Sequence, residues 1–138
     1  MVTNIQTVAN LLAGVIWADG EYDNAERITV AEVGEGLEYN AGELETAVEA
    51  ALATIKDYSE EQLNDFLKVE ADKVDDEEIA LVLQAAIQLA VSDGILMLEE
   101  VELVHAIADM LGISPAMTTL FIADMVKHES ELEVSFGE

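Results

Sequence analysis

Trp17-Ala-Asp-Gly-Glu-Tyr-Asp-Asn-Ala-Glu26 is the stretch on which the reading of this chain turns. An apolar segment runs into it and stops at Asp19-Gly20, because glycine adopts the left-handed conformation that closes a helix without a steric penalty. Asp23 and Glu26 follow at the spacing of a capping box, so a second helix begins almost at once. Four carboxylates, those of Asp19, Glu21, Asp23 and Glu26, therefore crowd one helical corner. A fainter version is Val91-Ser-Asp-Gly-Ile-Leu-Met-Leu-Glu-Glu100, where another apolar run breaks at Asp-Gly and acids follow. Two such corners imply an internally repeated helical protein.

Working outward from the corner, Ile5, Val8, Leu12, Val15 and Ile16 form a helical stripe, and Thr3 and Gln6 have the spacing to cap its start. Ile28, Val30, Val33 and Leu37 carry the second helix. Asn40 is placed to cap a third, with Leu44, Ala47, Val48, Ala51, Leu52 and Ile55 inside. Ser59 and Gln62 start a fourth, with Leu63, Phe66, Leu67 and Val69 inward, and Asp75 or Asp76 can cap the next. The fifth helix, near residues 77 to 92, is apolar almost all round, so it is expected at the centre, wrapped by its neighbours. Val101, Val104, Ala108 and Leu111 mark a sixth, which Gly112 ends. Ser114-Pro115 opens a seventh, with Leu120, Phe121, Met125 and Val126 inward. No segment shows strand alternation framed by hairpin turns. The class is all-α, a compact array of about seven helices in a single domain over residues 1–138, with an acidic tail at 129–138 expected to fray.

Composition narrows the function. Five basic against thirty acidic residues give a net charge of −25, which repels nucleic-acid phosphates and anionic lipid headgroups and attracts cations and basic protein surfaces. Cysteine is absent, so disulfides, thiolate metal sites and cysteine nucleophiles are excluded. The apolar start lacks a positive n-region, and the long apolar stretch Ile79 to Leu98 contains Asp93, so a cytoplasmic protein without membrane insertion is expected. There is no Gly-x-Ser-x-Gly elbow, no phosphate-cradling loop with a lysine and no His-Glu-x-x-His zinc helix, and the chain reads as non-enzymatic.

Placing Asp19-Gly20 on Asp93-Gly94 also brings Glu26 onto Glu100 and superposes the flanking apolar stripes. The pattern Ala18-Asp19-Gly20-Glu21-Tyr22-Asp23-Asn24-Ala25-Glu26, preceded and followed by helices, resembles the tellurite-resistance TerB family and the related N-terminal domain of DjlA-type membrane co-chaperones. The resemblance spans about Val8 to Val126, and the second copy departs from the pattern at Met97. It implies two pseudo-symmetric halves, acids from both corners gathered on one face that binds divalent cations, and a role in tellurite or general stress resistance.

Hard cations such as Ca²⁺ or Mg²⁺ want several oxygens at once, and Asp19, Glu21, Asp23 and Glu26 can offer them from one loop and the next helical turn. Asp93 and Glu100 join the set if the halves face each other as the resemblance implies, although Met97 and Leu98 suit the second corner to hydrophobic support. The loop is not an EF-hand, since Asn24 and Val30 fall where its glycine and bidentate glutamate belong. The competing reading is pure capping, because Asp23 and Glu26 suit a helix start with no metal present.

Glu102-Leu-Val-His105 has the step used in di-iron bundles but lacks a second copy, so His105 reads as a surface or core-edge residue. Trp17 reads as core rather than a partner anchor, and Met97, Met110, Met117 and Met125 as gap fillers rather than a groove. The expected partners are a divalent cation and a protein of unknown identity, membrane-associated proteins included. A second class rests on charge alone: an acidic nucleic-acid mimic that occupies a basic cleft of a partner.

Overall fold

The computed structural model describes residues 1–92, 94–128 and 133–135. Seven α-helices follow one another along the described residues: α1 (Ile5–Asp19), α2 (Asn24–Gly36), α3 (Glu43–Ile55), α4 (Glu60–Ala71), α5 (Ile79–Ala90), α6 (Leu98–Met110) and α7 (Pro115–His128), with a 3-10 turn at Asp76–Glu78 leading into α5. The all-α array expected from periodicity is the observed architecture.

The central helix is α1, not α5. Every residue from Thr7 to Ile16 is buried, and α1 packs against α3, α4, α5 and α6. The difference lies in coverage: α5 leaves Ala80, Leu81 and Gln84 exposed on one face, whereas four helices close around α1. The closest approach is at Gly14, where a Cβ would stand 2.9 Å from Leu67 Cδ2 and 3.0 Å from Cδ1. Leu67 is itself fully buried and has little room to yield. Gly14→Val is therefore expected to destabilise the fold by about 3 kcal/mol through overpacking, read as a fall in Tm of roughly 10 °C. An unchanged Tm would mean that α1 and α4 are not pressed together at this point.

Around α1, α2 packs on α3 and α5, α4 on α6, and α7 on α5 and α6. The buried side chains form one hydrophobic cluster that runs from Val8 to Leu111. Three apolar residues expected inside lie outside: Ile28, Val69 and Leu120 are more than half exposed. Each sits at a helix position one step off the stripe that the neighbours select: Thr29 is buried next to Ile28, Glu70 next to Val69, and Phe121, next to Leu120, is half-buried.

Two expected caps are also reassigned. Asn4, not Thr3, caps α1, its side chain accepting from the Gln6 backbone N–H at 2.8 Å. The Thr3 hydroxyl is taken by a distant partner instead: it donates to Glu78, whose carboxylate also accepts from the backbone N–H of Thr3 at 2.7 Å and of Val2 at 2.9 Å. These bonds, the Thr3 hydroxyl foremost, hold the Glu78 carboxyl below the usual range. Before α3, Asn40 leaves the cap to Gly42 and reaches Glu43 through its side chain. The capping boxes at Asp23 and Ser59 form as their spacing predicts.

Periodicity did not predict two strands of three residues each. β1 (Ile95–Met97) pairs in parallel with β2 (Glu133–Ser135), with Leu96 opposite Val134. Strands this short carry no alternation to read, and their partner lies across the whole of α6 and α7. Residues 129–132 and 136–138 of the tail lie outside the described residues.

Candidate metal centre

The first corner is built as a sequence of caps. Gly20 closes α1 at φ +84°, its N–H donating back to the carbonyls of Ile16 and Trp17. Three residues later the Asp23 carboxylate accepts from the Glu26 N–H at 2.8 Å, while Glu26 Oε1 accepts from the Asp23 N–H at 3.1 Å. The sharp reversal returns the chain so that Asp23 and Glu26 face Asp19, the last residue of α1. One carboxylate oxygen from each of Asp19, Asp23 and Glu26 lies within 4.8 Å of the other two. Among the described residues this is the only group of three or more acids or histidines close enough to share an ion.

The second corner repeats the geometry with different chemistry. Gly94 also has positive φ, at +81°. Glu100 accepts from the Met97 N–H at 3.3 Å, as Glu26 does from Asp23. Met97 thus occupies the place of Asp23 and brings a thioether where the first corner has a carboxylate. Glu100 is as buried as Glu26, each being 1 % exposed. Asp93 lies outside the described residues. Glu21 is exposed and does not belong to the trio; it lines a separate cavity of about 260 Å³ with Trp17, Tyr22 and Lys56.

Burial of Glu26 is the feature that periodic reading passed over, and a signal for it exists. Glu26, Val30, Val33 and Leu37 fall on one helical stripe, as do Glu100, Val104, Ile107 and Leu111. An acid at the head of a buried stripe is carried inward with it. The consequence is electrostatic. Burial pushes the Glu26 carboxyl up to about 8. The Asp23 N–H it accepts works against this shift, while the charges of Asp19 and Asp23 and a hydrogen bond with the Asp19 side chain add to it. Arg27, the basic residue that follows, lies over the Tyr22 ring at 4.2 Å and bonds Glu49 at 3.1 Å.

Three hard oxygen donors on a folded corner suit Ca²⁺ or Mg²⁺, and capping does not compete with this use. In the capping box Asp23 and Glu26 each engage one oxygen, and a carboxylate has two, with four lone-pair sites in all. Asp19, Asp23 and Glu26 would hold the ion, whose positive charge would offset the crowding of their carboxylates.

The remaining candidates do not assemble. Glu102 is exposed, and His105 is half-buried with no cluster of acids around it among the described residues. Trp17 is half-buried against the core. Met110 and Met125 pack at the core edge, whereas Met117 is exposed. No helix among the described residues is long and apolar enough to cross a membrane.

Fold and site together define a class of acidic helical modules, built on a repeated helix–corner–helix unit with a carboxylate trio in the first corner. The family model for the tellurite resistance protein TerB matches residues 5–121, and the chain belongs to that family. No curated protein and no solved structure matched the chain.

Proposed function

We propose that this protein is a non-enzymatic helical module that binds a divalent cation, Ca²⁺ or Mg²⁺, at Asp19, Asp23 and Glu26 and docks a protein partner in tellurite or general stress resistance. The observation that carries the reading is the convergence of three carboxylates: one oxygen from each of Asp19, Asp23 and Glu26 lies within 4.8 Å of the other two, a spacing from which one cation can take all three. The ion would fix the angle between α1 and α2, and with it the surface the corner presents.

Titration of the protein with Ca²⁺, followed by amide NMR, is expected to move the signals of Gly20 to Glu26 first and in a saturable way. Shifts spread evenly over the acidic surface would show counterion condensation and overturn the specific site.

A further inference from the structure

A second concavity lies beside the corner, where the end of α1, the first turn of α4 and one face of α6 meet. It measures about 320 Å³. Trp17, Leu63 and Leu103 give it apolar walls, and Glu60, Glu99 and Glu102 supply carboxylates. Leu63 is fully buried, whereas the three glutamates are exposed. We propose that this cavity is an arginine pocket, the docking point for a basic segment of a protein partner; the proposal rests on the partner-docking half of the function proposed above.

Charge and shape select the occupant together. No lysine or arginine lines the cavity, and the ion pairs among the described residues, Arg27 with Glu49 and Lys73 with Glu70, leave its three glutamates out. A helix start accounts for Glu60 and Glu99, both first-turn residues. It does not account for Glu102. Glu99 and Glu102 stand three residues apart on α6, a like-charged spacing that weakens a helix, and a cation brought between them removes that cost. The apolar walls exclude a bare metal ion as the matching ligand and ask for a charge carried on an aliphatic stem. A guanidinium meets both demands: its plane stacks on an indole and its fork bonds two carboxylates at once, which a lysine ammonium does not do. The cavity of about 260 Å³ that Trp17 also lines sets Lys56 against Glu21 and so lacks the surplus of negative charge found here.

The test uses the full chain and the capped peptide acetyl-Leu-Arg-Leu-amide, with citrulline in place of arginine as the neutral isostere. In NMR titrations the Trp17 indole N–H and the Leu63 and Leu103 methyl signals are expected to move to saturation. The citrulline peptide and the double variant Glu99→Gln/Glu102→Gln should each bind at least about tenfold more weakly. Glu32→Gln/Glu35→Gln removes an exposed pair of the same spacing from α2 and is expected to change nothing beyond general screening. Equal weakening by the two double variants, or shifts spread over all acidic faces, would overturn the pocket. Asp23→Asn separates this result from the cation: it should lose the Ca²⁺ response at Gly20 to Glu26 while the peptide still binds. A peptide that fails on a protein with an intact Ca²⁺ response refutes the pocket alone.

Discussion

Replacing Asp19 with asparagine is expected to lower affinity for Ca²⁺ by roughly 10- to 100-fold, the cost of one charged oxygen ligand. The same change should reverse sign when no cation is available. In excess chelator Asp19→Asn removes a negative charge from a crowded corner at the negative end of α1 and is expected to raise Tm. With millimolar Ca²⁺ the wild-type protein gains by linkage, because the ion binds the folded corner and not the unfolded chain, and it should overtake the variant. Calorimetric titration gives the first quantity and thermal melts the second. Melts that keep one order with and without Ca²⁺, together with equal affinities, would remove Asp19 from the site. The side chains suit the experiment: asparagine at Asp23 and glutamine at Glu26 both preserve the capping box, so all three ligands can be neutralised without losing the start of α2.

Glu26→Gln should change the pH dependence of stability. The Glu26 carboxyl is pushed up to about 8 in the folded protein, against about 4.3 for a glutamate in an unfolded chain. Between those values the folded protein holds a proton that the unfolded chain has released, so stability falls as pH rises. The contribution is fully present below about pH 4.3 and is lost as pH climbs through about 8. In chelator, wild type is expected to lose on the order of 2 kcal/mol more than Glu26→Gln between pH 5 and 8, a Tm difference of roughly 5 °C or more at the alkaline end. Ionisation of carboxylates away from the corner acts on both proteins alike and cancels in the difference. Parallel stability curves would mean that Glu26 is ionised in the fold at neutral pH.

The corner was legible because its signals are local. Gly20 closes α1 and Asp23 with Glu26 opens α2 through bonds that span three or four residues, and spacing alone reveals bonds of that reach. The repeat was legible for the same reason: Gly94 and Glu100 reproduce the turn and the buried acid of the first copy. What escaped were choices made between distant segments. Thr3 has the spacing of a cap, but Glu78, which follows it by more than seventy residues, offers three hydrogen bonds and wins its hydroxyl. Whether α1 or α5 becomes the central helix depends on which of them the others close over, and the packing of α3, α4, α5 and α6 around α1 settles that.

For the function, the sequence by itself determined the helical class, the family pattern, the net charge and the acids from which a cation site could be drawn, Asp19, Glu21, Asp23 and Glu26 with Asp93 and Glu100. Tertiary structure decided which of them meet. It set Asp19 against Asp23 and Glu26 and left Glu21 facing solvent, whereas Met97 already stood in the sequence at the matching position of the second corner. The physical reason is that capping and periodicity act within a few residues of chain, whereas coordination and burial depend on the distance between side chains that only the folded corner brings together.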